Sequence, residues 1–284
     1  MANPWSASNE VPIFRRQGDQ LIPASDRLAI EEPLEIRLGF GPSGMRQQRS
    51  LAVTMRTPGD DFDLVRGFLL SERIISRKNE LLQLRYLGAG LEPEVQQNTV
   101  LAELHPGLSI DFDRLTRNFF AASSCGICGK ASMELVQQPS VYPLPLSGRL
   151  WDAATLSKLS GALWENQSLF QETGGVHAAA IYHSSGELAL VREDVGRHNA
   201  LDKLIGAAFN KDMLPLADTL LLVSGRAGFE LVQKALSAGI PFMVSVGAPS
   251  SLAVELAAAY RMTLVGFLRQ DSFNVYSGNE RIVN

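Results

Sequence analysis

The run Thr219-Leu220-Leu221-Leu222-Val223-Ser224-Gly225-Arg226-Ala227-Gly228 is an unbroken apolar stretch that ends in a turn of small residues. Such a run, bounded by glycine, fits a short strand buried on both faces. The pattern then recurs. Residues 229–238 have a helical period, 241–246 are apolar again, Gly247-Ala248-Pro249-Ser250-Ser251 is a second small-residue turn, 251–259 are helical and 263–268 form a third apolar run. Strands alternating with helices of about ten residues build right-handed βαβ units and a largely parallel sheet. Upstream, residues 178–182 and 187–191 are expected strands joined by His183-Ser184-Ser185-Gly186. That hairpin makes the sheet mixed. Helices expected over 151–170 and 197–209 complete an αβα sandwich for residues 150–284.

In open α/β sheets, ligands bind beyond the carboxyl ends of the strands. Both turns there open a helix, so backbone N–H groups and the helix dipole can hold an anion. Gly225 and Gly247 allow close approach, Ser224 and Ser250 carry hydroxyls, and Arg226 and Arg269 can supply charge-assisted bonds. Neither turn has a phosphate-loop or dinucleotide fingerprint. Two ordinary βα turns are the alternative; adjacent arginines favour a phosphate-bearing ligand.

Composition narrows the classes. The 284 residues are 45% hydrophobic and 20% charged, ordinary for a globular protein, with a net charge of −4 that gives nucleic acid no electrostatic footing. No apolar run approaches the ~18 residues of a membrane span. Met1-Ala2-Asn3-Pro4-Trp5 lacks the features of a signal peptide. The only two cysteines, Cys125 and Cys128, close too small a loop to act as a staple, which points to functional thiols in a reducing cytoplasm.

The first half reads differently. Residues 1–30, with Pro4, Pro12 and Pro23, are expected to be an irregular lead-in. Residues 34–38 and 50–55 alternate as strands of a hairpin around a glycine-rich turn. Asp60 or Asp61 is placed to cap a helix whose apolar face is Leu64, Val65, Phe68 and Leu69. Further strands are expected at 81–87 and 95–104, giving an α+β domain over 31–139. The proline-rich stretch 140–148 reads as a linker.

Two polar segments stand out. In Ser123-Ser124-Cys125-Gly126-Ile127-Cys128-Gly129-Lys130 the thiols have redox or metal-half-site spacing, and Lys130 would lower a thiol pKa. Zinc lacks a second cysteine pair, and the zinc-deaminase pattern lacks its His-x-Glu, so no metal is expected. A thiolate that carries a group, or a dithiol redox pair, remains. The second segment, Arg192 to Lys203, joins a strand to a helix. Asp194 is placed to cap that helix, and Arg197, His198 and Asn199 would then oppose its dipole, which suits a ligand better than stability. His177, alone at a strand start, reads as structural.

Four blocks carry a resemblance to the FdhD/NarQ family of formate dehydrogenase accessory sulfurtransferases: Met55 to Asp61 with Gly67-Phe68-Leu69-Leu70, Ser123 to Lys130, Arg192 to Lys203, and Ser224 onward to Ala253. The resemblance implies a cytidine-deaminase-like fold for the second half. It implies that Cys125 takes persulfide sulfur from a cysteine desulfurase, with Cys128 assisting. The sulfur would pass to a molybdenum bis-guanine-dinucleotide cofactor before its insertion into formate dehydrogenase. The family's cofactor-contact segment falls on Phe267, Leu268, Arg269, Gln270, Asp271 and Ser272, with His198 facing the same ligand. The Gln270-Asp271-Ser272 run is more acidic than the resemblance implies. A two-armed cofactor would suit a homodimer. A cofactor-binding chaperone without sulfur chemistry is the competing function.

Overall fold

The computed structural model describes residues 6–88, 97–112, 142–145 and 149–283. The first correction is at the start. Residues expected to be irregular form an antiparallel hairpin of β1 (Ser8–Gln17) and β2 (Gln20–Ala29), in register from Ser8 opposite Ala29 to Gln17 opposite Gln20. Gly18 supplies the positive φ of its two-residue turn. Pro12 and Pro23 mask the pattern but are tolerated, because each strand of a two-stranded ribbon has a free edge. Arg27 and Ser8 hold the hairpin base to Glu172, at 2.6 and 3.0 Å.

β3 (Glu32–Phe40) and β4 (Gln47–Arg56) form the expected hairpin, and Leu34, Ile36 and Leu38 are fully buried on one face. After α1 (Asp61–Ser71) come β5 (Leu81–Tyr86) and β6 (Thr99–Leu104), giving a four-stranded sheet in the order β4-β3-β6-β5 with β3 and β6 parallel. Neither Asp60 nor Asp61 caps α1. Asp60 is the terminal residue but adopts a left-handed conformation without a side-chain cap. The Asp61 carboxylate turns back to clasp the fully buried Arg56, with both contacts at 3.0 Å.

The second half opens with β7 (Trp151–Asp152). The single helix expected over 151–170 is two, α2 (Ala153–Glu165) and α3 (Ser168–Thr173). They part at Asn166-Gln167 because Glu193 accepts hydrogen bonds from the N–H groups of Leu169 and Phe170, which fixes a new helix start. Then follow β8 (His177–His183), β9 (Leu188–Asp194), α4 (Arg197–Asn210), β10 (Thr219–Val223), α5 (Phe229–Ser237), β11 (Phe242–Ser245), α6 (Ser251–Ala259), β12 (Thr263–Gly266), β13 (Asn274–Ser277) and β14 (Ile282–Val283). The last pairs in parallel with β7.

The main sheet is mixed, in the order β13-β12-β11-β10-β8-β9, and its three central strands β10, β11 and β12 are parallel. Leu156, Leu159 and Leu163 of α2 cover one face with Ala180, Tyr182, Leu222 and Val244. On the other face Leu201, Leu204, Leu231 and Leu256 of α4, α5 and α6 pack on Ala179, Ile181, Leu221 and Met243. That is the expected αβα layering. The second apolar cluster does not stop at the helices. It runs on through Leu64, Val65 and Leu69 of α1 to Leu34, Ile36 and Val100 of the smaller sheet, so both halves share one core.

The junction is the crossing of α1 and α4. Gly67 and Gly206 lie where the backbones meet: a Cβ on Gly67 would collide with the carbonyl of Asp202, and one on Gly206 with that of Asp63. Helix axes this close need residues without side chains, and glycine is tolerated here despite its cost of about 1 kcal/mol in helix propensity.

Candidate functional site

The carboxyl ends of β10, β11 and β12 lie side by side, and their connections continue to pair after the strands end. Gly247 N–H donates to the Gly225 carbonyl (3.0 Å), Phe267 N–H to the Gly247 carbonyl (3.1 Å), Ala227 N–H to the Ala248 carbonyl (3.2 Å) and Ser250 N–H to the Ala227 carbonyl (3.0 Å). Many backbone donors that the sequence offered to a ligand are thus spent on holding the turns together. The serines are also engaged. Ser224 Oγ accepts from Ala178 N–H and Ser250 Oγ caps α6 by accepting from Ala253 N–H. The N–H groups of Gly225 and Arg226 make no hydrogen bond among the described residues.

Cations ring this edge. Arg226 is exposed and has no hydrogen bond or ion pair among the described residues. Arg269 is pinned by two bonds of 2.8 Å to the carbonyls of Val246 and Leu268, which aims its guanidinium along the β11 turn. Its own N–H donates to Ser272 (2.8 Å), so Arg269 to Ser272 form a tight surface turn bearing the exposed Gln270 and Asp271. Leu268 itself is 1% exposed in the core, leaving only its backbone at the surface. Phe267 does the reverse. Its φ of 53° is rare for a bulky residue and turns the ring outward, 41% exposed.

The N-termini of α4 and α5 converge on the same place. Arg197, in the first turn of α4, is half-buried and also lacks an ion-pair partner among the described residues. His198 Nε2 meets Glu230, in the first turn of α5, at 2.9 Å. The hydrogen bond from His198, with the Lys234 and Arg197 charges, keeps Glu230 below its ordinary pKa against the opposing effect of burial. His177 lies beside Gly225, and a Cβ on that glycine would come within 3.3 Å of its Nδ1. Burial, then Arg197 and His198, lower the His177 pKa, and Asp194 offsets them in part.

The residues matched by the FdhD/NarQ family model are 29–283. The chain belongs to the FdhD/NarQ family. It is 47% identical over 268 residues to a sulfur carrier protein FdhD of Mycobacterium tuberculosis, covering 93% of this chain and 94% of that one. It is 48% identical over 259 residues to a sulfur carrier protein FdhD of Streptomyces coelicolor, covering 90% and 89%. The crystal structure of a candidate formate dehydrogenase accessory protein from Desulfotalea psychrophila matches 98% of this chain and 100% of its own with a TM-score of 0.73; at 23% identity it speaks for the fold alone.

Two of the four FdhD/NarQ blocks turn out to be partners. Asp194, expected to cap α4, is instead a fully buried hub, and Gly196 takes the cap position. Asp194 pairs with Lys203 Nζ (2.7 Å) and accepts from Thr57 N–H (3.2 Å), Gly196 N–H (2.8 Å) and Asn199 Nδ2 (3.1 Å). Lys203 also donates to the Thr57 carbonyl (2.8 Å), and Asn199 Nδ2 to the Met55 carbonyl (2.6 Å). Arg192 reaches Asp63 at 3.1 Å. Most of the 192–203 segment therefore clamps the two halves of the FdhD/NarQ fold together. Only Arg197 and His198 look out to the strand ends.

Cys125 and Cys128 lie outside the described residues. Among the described residues no three His, Cys, Asp or Glu side chains group as metal ligands, and no helix is long and apolar enough to cross a membrane. What sequence reasoning missed at this FdhD/NarQ strand end are Glu230 and the placing of His177. The antiparallel register that carries His177 to Gly225 depends on β8 and β10, separated by the whole of β9 and α4, and no local pattern encodes it.

Proposed function

We propose that this protein is a sulfur carrier that serves the maturation of formate dehydrogenase in the cytoplasm. Family membership and the sulfur-carrier names of relatives that match over nearly their full length support the role. In detail, a thiolate at Cys125 attacks the outer sulfur of a cysteine desulfurase's persulfide. That S–S bond breaks, the desulfurase leaves as a thiolate, and Cys125 becomes the persulfide. Cys128 assists as the neighbouring thiol.

The acceptor is a molybdenum bis-guanine-dinucleotide cofactor, handled as cargo. The observation that carries this part is a strand edge where Arg226 and Arg197 have no ion-pair partner among the described residues, beside the fixed Arg269. Phosphates of the cargo neutralise these cations, with His198 at the edge and Phe267 offering an aromatic face to a base. Gly225 and Gly247 let the cargo approach the backbone, and Ser224, Ser250 and the 268–272 turn border it. The terminal sulfur of the Cys125 persulfide is then delivered to molybdenum as sulfide, with two electrons from a cellular reductant, and Cys125 returns as thiolate. On this reading the αβα half is a cytidine-deaminase-like scaffold put to carrying cargo. A homodimer would present two such edges to the two nucleotide arms.

The test is mass spectrometry after incubation with a cysteine desulfurase and isotopically labelled cysteine. One labelled sulfur on the peptide containing Cys125, absent in Cys125→Ala, is expected. Maturation of active formate dehydrogenase in cells by Cys125→Ala would overturn the carrier reading and leave a cofactor chaperone.

A further inference from the structure

We infer that His177 is a ligand contact of the strand-end site and that an anion bound there brings a proton onto its imidazole. The inference rests on the anion-site reading above. His177 opens β8 half-buried, and neither ring nitrogen has a hydrogen-bond partner among the described residues. The ring nitrogens are not sealed from solvent, so they stay open to a ligand arriving at this edge. The ring is packed with purpose: its Nδ1 and Cε1 lie 3.3 and 3.4 Å from where a Gly225 Cβ would be, and the Arg197 Cδ lies 3.9 Å from the same point. Imidazole, bare Gly225 backbone and the Arg197 stem thus form one surface at the end of β10.

The charges around the ring leave it waiting for a counter-ion. From β9 comes Asp194, already paired with Lys203 and three further donors. From α4 come Arg197 and His198, and from α5 comes Glu230, which is engaged by His198. Arg226, next to Gly225 in the β10–α5 connection, lies farther along the same edge, against Gly247. Both carboxylates are therefore committed, whereas Arg197 and Arg226 have no ion pair among the described residues.

Burial, Arg197 and His198 hold the His177 pKa below its usual 6.5, so the free protein carries a neutral ring at pH 7.5. A phosphate group on this surface offsets Arg197 and accepts a hydrogen bond from the ring, which favours the imidazolium. The sign follows. The bound pKa is above the free one, so affinity rises as pH falls from the bound pKa to the free pKa and is flat outside that window.

GDP titrated calorimetrically into the full chain at pH 8.5, 7.5 and 6.5 tests this, with His177→Gln alongside. The ligand's own titration affects both proteins equally. Wild type should gain about fivefold more affinity than His177→Gln between pH 8.5 and 6.5, since one pKa unit corresponds to tenfold. Binding at pH 7.5 should take up a fraction of a proton, read from two buffers of different ionisation enthalpy, and the variant should take up less. Imidazole NMR gives a readout that needs no variant, because the chain has four histidines: GDP should move one buried-histidine titration to higher pH. Parallel pH profiles and an unmoved titration would overturn the role of His177 while leaving the anion site standing. Failure of GDP to bind either protein at any of the three pH values would instead overturn the anion-site reading and the inference with it.

Discussion

Gly67 and Gly206 face one another across the crossing of α1 and α4, and the Gly206 position stands 2.8 Å from the Gly67 backbone nitrogen at the point where a Cβ would be. Neither neighbour is a flexible side-chain end, so a methyl group can be admitted only by parting the helices. Gly206→Ala should therefore destabilise the protein by about 3 kcal/mol, even though alanine gains about 1 kcal/mol in helix propensity. Urea unfolding would show it. A neutral or stabilised Gly206→Ala protein would mean that the crossing does not bind the halves.

Asp194 and Lys203 form a dry ion pair, 0% and 2% exposed at the side chain. Removing one partner strands the other charge, so Lys203→Met should cost about 3–5 kcal/mol. Adding Asp194→Asn should return part of that loss, because the stranded carboxylate is gone. A double-mutant cycle with no coupling would contradict the pairing.

Glu230 bears on acid stability. Its folded pKa is held below the ordinary 4.5, first by the His198 hydrogen bond. A depressed carboxylate contributes stability above its unfolded pKa and loses it as pH falls through the folded one. The difference in urea midpoint between wild type and Glu230→Gln should thus be largest above pH 4.5 and shrink on further acidification. A difference that does not change with pH would mean that the contact is not electrostatic.

Arg226 is exposed and has no partner among the described residues, so Arg226→Ala should keep the melting temperature of the free protein within about 2 °C. GDP at saturation should raise the wild-type melting temperature through preferential binding to the folded state. Arg226→Ala should remove most of that rise. Arg269→Ala should remove it too, and should also lower the free-protein value by releasing the Val246 and Leu268 carbonyls. An undiminished GDP shift in both variants would sink the placement of the anion.

Much of this was legible in the sequence. The apolar runs at 219–223, 241–246 and 263–268 mark the parallel strands because buried strands need no polar alternation, and their small-residue turns point to the ligand edge. Arg226 and Arg269 could be read as cations near one another on the same logic. The β1–β2 hairpin was not legible, since its prolines and scattered polar residues hide the strand period. Asp194 misled because an Asp before a helix resembles a cap, whereas its true partner is Lys203, nine positions on and on the buried side of α4. His177 and Glu230 reach the strand end only through long-range pairing, which no local signal reports.

The shared core has a consequence in time. Because Gly67 packs on the backbone of Asp202 and Gly206 on that of Asp63, α1 leaves the ribosome with only the smaller sheet to pack on, and the face that crosses α4 is uncovered until α4 follows. At about 5–20 residues per second, that wait is roughly 7–28 s. Throughout it the Gly67 face of α1 is open to wrong partners, whereas Arg56 already has Asp61 and Glu32. This first sheet and helix therefore have a call on chaperones during synthesis that ends when α4 docks.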